Sequence, residues 1–150
     1  VSDRWEAMGD LSFTRWNTVD NLNVRSVAGT ETESINYDNS WRIAWGAAYK
    51  ASDAWKLKFG IAYDRSPTSD EYRTARMPDN NRLWFSFGGQ WNAGAYGRID
   101  AGYAYLYLKD ASINQTQTFA VPAGGPGVSN LRGSYSDGIH VLGIQYSNGF

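Results

Sequence analysis

The side chains here that can do chemistry are mostly cations at even spacing. Arg42, Lys56, Lys58, Arg82 and Arg98 share one parity within alternating segments, opposite to their bulky apolar neighbours. A guanidinium or ammonium placed this way can receive a carboxylate. It can also pair with an interior acid and keep a lumen wet, and for any single one this simpler role is favoured. Arg73, Arg76 and Arg82 form a second group with Asp79, beside Met77 and Pro78, in or next to the irregular stretch 65–81. Two roles are open to them: pinning a folded loop through Arg–Asp pairs, or lining the path of a ligand. The candidate ligand-path residues are therefore Arg73, Arg76, Arg82, Arg42, Arg98 and Lys58.

Bond-making chemistry finds no support. Cysteine is absent, which removes a thiol nucleophile, a disulfide scaffold and a thiolate metal site. His140 is the single histidine, so a three-histidine metal site is impossible, and its parity makes it an outward, interfacial residue of the last strand. Ala123-Gly124-Gly125-Pro126-Gly127 lacks the Lys-Ser/Thr of a phosphate loop. The expectation is no enzyme, no metal and no cofactor. Fourteen Lys and Arg against fifteen Asp and Glu leave no basic excess for a phosphate backbone, so nucleic acid is not an expected partner.

The elements that position these cations are strands. Trp41, Ile43, Trp45, Ala47 and Tyr49 alternate with small or charged residues, and Trp55, Leu57, Phe59, Ile61 and Tyr63 repeat the pattern after a short turn. Leu83 to Trp91 and Ile99 to Tyr107 form another such pair. Strands are expected at about 4–16, 22–28, 41–50, 55–64, 82–91, 98–107 and 131–150. Links at 17–21, 51–53 and 92–94 are short, whereas those at 29–39, 65–81 and 110–130 are long. Sequential antiparallel pairing puts all the long links at one end, as in outer-membrane barrels.

The aromatics add a second regularity. Trp41 and Tyr49, Trp55 and Tyr63, and Trp91 and Tyr107 stand at the two ends of apolar faces, the arrangement of girdles at the two membrane interfaces. No apolar run reaches the roughly eighteen residues of a transmembrane helix. The mean hydropathy of -0.51 still suits a membrane barrel, because half of each strand faces a polar interior. Val1-Ser2-Asp3-Arg4 has none of the marks of a signal peptide.

The expected fold class is all-β: a transmembrane antiparallel meander of about seven strands, part of a larger outer-membrane β-barrel. Seven strands leave two open edges, which hydrocarbon does not tolerate. Closure thus requires upstream strands or further chains. Two alternatives remain, a general diffusion porin and a soluble all-β binding module. Deep burial of Trp45, Phe59 and Phe87 against a second sheet would decide for the soluble module.

Several motifs go further. Ala62-Tyr63-Asp64-Arg65-Ser66-Pro67, then Arg73-Thr74-Ala75-Arg76-Met77-Pro78-Asp79 and Arg82-Leu83-Trp84, form a specific series. With Trp5-Glu6-Ala7-Met8-Gly9-Asp10, Asn39-Ser40-Trp41-Arg42-Ile43-Ala44-Trp45-Gly46-Ala47, Asp53-Ala54-Trp55 and Gly102-Tyr103-Ala104-Tyr105, it resembles the C-terminal half of the outer-membrane long-chain fatty acid transporters, the FadL-like family. The last strand, with Tyr146 and terminal Phe150, also resembles the end that the barrel assembly machinery recognises. The resemblance implies a fourteen-stranded barrel whose plug domain and N-terminal strands lie outside these residues. It further implies passive uptake of long-chain fatty acids or similar hydrophobic molecules, with outer-membrane lipid and lipopolysaccharide around the barrel.

Overall fold

The computed structural model describes residues 2–27, 29–75, 77–120 and 126–148. Among the described residues ten strands form: β1 (Trp5–Thr14), β2 (Asn21–Ser26), β3 (Gly29–Ser34), β4 (Ser40–Lys50), β5 (Trp55–Asp64), β6 (Arg82–Asn92), β7 (Arg98–Leu108), β8 (Ala111–Ala120), β9 (Pro126–Tyr135) and β10 (Gly138–Ser147). Six of them build one sheet in the order β1-β4-β5-β6-β7-β10, every pair antiparallel. The other four form two separate hairpins, β2–β3 and β8–β9. The all-β expectation holds, and the sheet is open, with β1 and β10 as its edges.

The strand inventory differs from the expected seven in two places. The stretch 22–28 does not join the main sheet; β2 pairs instead with β3, which lies in the expected 29–39 link. At six residues β2 is shorter than the nine to eleven or so that cross a bilayer, and its sequence NLNVRS is largely polar. The stretch 131–150 is not one strand: the chain leaves β9 at Tyr135 and starts β10 at Gly138. β9 pairs with β8, which lies in the expected 110–130 loop. Both hairpins therefore belong to long connections. Segments 15–39, 65–81 and 109–137 leave one end of the sheet, and 51–54 and 93–97 close the other, so long and short links still alternate, but 17–21 is not a short link: it lies within the long connection 15–39.

Register aligns the two faces. Leu142, Tyr103, Phe87, Phe59 and Ala47 lie in one transverse row across β10, β7, β6, β5 and β4, and His140, Tyr105, Phe85, Ile61 and Trp45 lie in the next. The interleaved positions form the opposite, polar face. Glu6, Ala48, Lys58, Gly88, Gly102 and Gly143 make one of its rows; Met8, Gly46, Gly60, Ser86, Ala104 and Val141 make another.

The short links are built by local chemistry. Ser52 Oγ accepts from the Trp55 amide at 3.1 Å, and Asn92 Oδ1 accepts from the Gly94 amide at 3.1 Å. The second link holds a short 3-10 turn, Gly94–Tyr96, where a plain 92–94 turn was expected. Gly94 and Gly97 have φ of 64° and 91°, a region that side chains disfavour, and a Cβ on Gly97 would lie 2.7 Å from the Ser147 carbonyl oxygen.

Candidate functional site

The apolar face is bare. Trp45, Phe59 and Phe87 are 56%, 48% and 60% exposed, and no second sheet covers them among the described residues. The soluble module required the opposite. So wide an apolar surface needs an apolar surrounding. Aromatic pairs stand at both ends, Trp5 on Tyr49 at 4.7 Å and Trp55 on Trp91 at 6.2 Å near the short links and Trp41 on Tyr63 at 5.2 Å near the long ones, and further rings, such as Phe87 on Tyr103 at 5.3 Å, lie at mid-height. Tyr107 shares the long-link end, opposite Leu83 and Gly138. Tyr146, near the short links, donates to the Tyr96 carbonyl at 2.9 Å. His140 sits on this face too, its Nδ1 2.6 Å from the Tyr103 hydroxyl.

The polar face is laced with ion pairs. Near the short links, Lys56 meets Glu6 at 2.9 Å, and Lys58 and Arg98 converge on Asp100 at 2.9 and 3.0 Å. Gln90 adds a bond to the same carboxylate at 2.8 Å. Near the long links, Arg82 holds Asp79 at 2.6 Å and Asp64 at 3.4 Å. Arg42 reaches Asp10 only at 3.9 Å and lies over the Trp84 ring at 5.7 Å. Between these two charged belts run the small residues of the two rows named above. Side-chain polarity thus changes along the strands as well as across them.

A folded loop roofs the long-link end of the polar face. Arg73 is its anchor, only 2% exposed. Its Nε donates to the Asp79 carbonyl at 2.9 Å, and Nη1 donates to the Ser112 carbonyl at 2.6 Å and to the Asp70 carboxylate. Ser66 Oγ donates to Asp79 Oδ2 at 2.8 Å, and Asn81 Oδ1 accepts from the Ser66 amide at 3.0 Å. Asn80 Nδ2 reaches the Asp110 carbonyl at 2.8 Å. Leu106, Leu108, Ala111 and Ile113, all buried, supply apolar packing at this end. A loop of this length has many backbone polar groups to satisfy, and here side chains satisfy several of them.

Beside this roof lies a cavity of about 390 Å³, within the size range of small-molecule sites. Trp16, Tyr37, Trp41, Pro67 and Met77 give it apolar lining; Arg42, Arg65, Arg82 and Asp64 give it charge. Trp16 and Tyr37 meet edge to face at 6.1 Å, and the Tyr37 hydroxyl is 4.0 Å from Met77 Sδ.

Of the six expected ligand-path residues, Arg42 and Arg82 come together at this cavity. Lys58 and Arg98 lie at the opposite end of the polar face, both paired with Asp100. Arg73 is sealed inside the loop roof, where its guanidinium is committed to the protein's own acceptors. Arg76 and Phe150 lie outside the described residues. Sequence reading missed Trp16, Tyr37 and Arg65. In the sequence Trp16 reads as a strand end, Tyr37 falls in the long link 29–39 and Arg65 stands only in a motif, and nothing local says that the two links meet. Among the described residues no His, Asp or Glu cluster could hold a metal ion.

An apolar face exposed between rings of Trp and Tyr, a charged opposite face, and loops gathered at one end define an outer-membrane β-barrel wall. The chain belongs to the family described as outer membrane protein transport protein (OMPP1/FadL/TodX), whose model matches residues 1–150. It is 28% identical over 160 residues to a putative outer membrane protein of Neisseria meningitidis, covering 100% of this chain and 34% of the relative. It is 32% identical to a 47 kDa outer membrane protein of Pasteurella multocida, covering 89% of this chain and 31% of the relative. A long-chain fatty acid transport protein of Escherichia coli is 28% identical, covering 77% and 26% of the two chains. The fold matches the crystal structure of a Pseudomonas aeruginosa FadL homologue with a TM-score of 0.79 and 27% identity, over 95% of this chain and 32% of that one. The chain therefore spans about a third or less of the length of these relatives. It is an outer-membrane protein of a transport family.

Proposed function

We propose that this chain is the C-terminal part of a fourteen-stranded barrel that passes long-chain fatty acids or similar hydrophobic molecules passively across the outer membrane. The plug domain and the N-terminal strands would lie outside these residues. The observation that carries the reading is the cavity at the roofed end of the polar face, where aromatic and thioether groups stand beside arginines. An amphipathic acid needs an apolar surface for its chain and a cation for its carboxylate. The polar face is then the lumen wall. The open edges β1 and β10 pair with strands from the rest of the protein or from other chains. Trp41, Tyr49, Trp55, Tyr63, Trp91 and Tyr107 meet the interfacial zone of outer-membrane lipid and lipopolysaccharide. Tyr146 and Phe150 present the last strand to the barrel assembly machinery.

Uptake of a labelled long-chain fatty acid tests this directly, comparing cells that carry the complete protein with cells that lack it. Equal uptake rejects the reading. Faster entry of small hydrophilic solutes, with no gain for the fatty acid, favours the diffusion porin. The facing has its own test. Phe59→Arg places a charge on the lipid side at a cost of about 2–4 kcal/mol near mid-membrane, whereas Lys58→Arg keeps a cation on the lumen side. Insertion yield should fall sharply for the first variant and hardly change for the second; equal yields contradict the assignment of faces.

A further inference from the structure

The lipid-facing side of the sheet ends differently at its two openings. At the long-link end the ladders run one pair past the strands: the Trp41 carbonyl accepts from the Arg65 amide at 3.0 Å, and the Asn81 carbonyl accepts from the Lys109 amide at 2.9 Å. Because Arg42 faces Asp64, Asp64 faces Arg82 and Arg82 faces Leu108, the next transverse row is Trp41, Arg65, Asn81 and Lys109. This row has the parity of Tyr63 and Tyr107. Arg65 and Lys109 therefore stand on the outward face just beyond the aromatic girdle, two strand steps or about 10 Å apart. Arg65 and Trp41 also edge the loop-end cavity, which is lined there by consecutive residues of both parities. Both cations are exposed, and among the described residues neither has a carboxylate within ion-pair distance. At the short-link end Lys50, Lys56, Lys58 and Arg98 each hold an acid, and Arg4 has the parity of Glu6 on the polar face.

Below the two cations the same face is hollowed. A groove of about 320 Å³ is lined by Trp45, Ile61, Phe85 and Tyr105 in one transverse row and by Phe59 and Phe87 in the next. Rows on one face are about 7 Å apart, so the groove starts about 14 Å from the row of cations. That depth lies in hydrocarbon and within reach of an acyl chain whose headgroup sits at the rim. A chain lying in a groove meets wall atoms on several sides and gains more dispersion contact than it would on a smooth wall.

We infer that this part of the outer wall is a seat for a phosphorylated glycolipid of the outer leaflet, with Arg65 and Lys109 holding its phosphates and the groove at Phe85 and Phe87 receiving one of its acyl chains. The long links mark the extracellular end, so the cations stand at the headgroups of that leaflet. A cation already bonded to an acid gains little from a phosphate, whereas an unpaired one gains a full charge-assisted hydrogen bond. The inference rests on the lipid-facing assignment of the reading above and adds to it a site on the outside of the barrel, apart from any path through the lumen.

The test is binding of lipid A carrying both phosphates, and of the same lipid with its phosphates removed, to the complete barrel protein that contains this chain, in detergent at fixed ionic strength. The double variant Arg65→Gln with Lys109→Gln should weaken the phosphorylated lipid about thirtyfold and leave the dephosphorylated one unchanged. Arg65→Lys with Lys109→Arg should bind both like the parent. Phe87→Ala should weaken both lipids to a similar degree, and Lys56→Gln, on the polar face near the short links, should change neither. Heat-modifiable mobility on a cold detergent gel checks that each variant is folded. A double variant that binds the phosphorylated lipid like the parent, or a parent that does not distinguish the two lipids, overturns the charge partners and the inference with them. Unchanged binding of both lipids by Phe87→Ala overturns the acyl-chain seat. Displacement of the phosphorylated lipid by an equal concentration of inorganic phosphate or of phosphatidylglycerol overturns the glycolipid in favour of a general anion site. Uptake of labelled fatty acid separates this result from the transport reading. A parent that binds phosphorylated lipid A selectively but takes up no fatty acid rejects the uptake reading alone; normal uptake without selective lipid binding rejects this inference alone.

Discussion

The roof loop 65–81 and the β8–β9 hairpin are neighbours at one end of the same sheet, and they are held together by different means. The hairpin satisfies its backbone through a ten-residue ladder and decorates one side with exposed polar pairs, such as Asn130 to Thr116 at 2.8 Å and Arg132 to Asn114 at 2.9 Å. The roof loop has no ladder. It depends on a few residues that each make several bonds, above all Arg73, which donates to three acceptors, and Asp79, which accepts from Ser66, Arg73 and Arg82. A ladder spreads its free energy over many equivalent bonds, whereas a hub concentrates it. The hairpin should therefore tolerate single substitutions that the loop does not.

The largest effect should come from Arg73→Met. It removes a buried cation that serves three acceptors, and a loss of about 3 kcal/mol is expected, concentrated in the loop. Limited proteolysis of the complete barrel should then cut within 65–81 while the heat-modifiable barrel band persists. Continued protease resistance of this loop would show that Arg73 is not its hub. Asp79→Ala comes next, at about 1–2 kcal/mol, because it frees Arg82 and Ser66 but leaves the carbonyl that receives Arg73. Amide exchange of the loop should rise less than for Arg73→Met; the reverse order would exchange the roles of the two residues.

Asn130→Ala tests the other side of the comparison. It removes an exposed side-chain bond from an intact ladder and should cost no more than about 0.5 kcal/mol. Exchange in β8 and β9 faster than in the Asp79→Ala loop would erase the distinction between ladder and hub. The smallest effect is expected at the opposite end of the sheet. Lys50 bonds Asp53 at 2.7 Å across the first short link and holds its carboxyl below the usual range. A lowered carboxylate pKa contributes stability that is complete above the unfolded-state pKa and is lost as pH falls through the folded value. Because Asp53 is fully exposed, Asp53→Asn should leave the melting temperature unchanged at neutral pH, and any difference from the parent should vanish in acid. A large neutral-pH shift would show that this turn, too, is a hub.

The difference between these regions also accounts for what the sequence discloses. The strand faces are legible because alternation is local: Trp41 to Tyr49 and Trp55 to Tyr63 reveal their sides without knowledge of any partner. The ring stacks follow from the register, since equal strand lengths bring Trp55 opposite Trp91. The stretch 22–28 reads as a strand, but its partner β3 (GTETES) and the strand β8 (ASINQTQTFA) are mostly polar, and a polar strand resembles a polar loop, so the two hairpins escape notice. The candidate site is harder still. Arg73 finds the Ser112 carbonyl 39 residues away, and Trp16 finds Tyr37 only because β2 and β3 fold back together. Such contacts come from chain topology, which spacing does not encode.

The small-residue rows of the polar face have a steric meaning. Gly46, Gly60, Gly88, Gly102 and Gly143 occupy the mid-height of the wall, between charged belts on either side. Few side chains brace one strand against its neighbour here, apart from Ser86, which donates to the Gly60 carbonyl at 3.3 Å, and Lys58, which reaches Asp100, and each glycine weakens a strand by about 0.5–1 kcal/mol relative to alanine. The polar face is therefore banded in side-chain bulk, with ion-paired rims and a glycine-rich waist between them. Alanine does not fit every position of that waist: a Cβ on Gly88 would lie 2.8 Å from the Ala101 carbonyl oxygen, whereas one on Gly143 would meet nothing within 4 Å. Five glycines at this level leave open space against the polar face that charged side chains fill toward the rims.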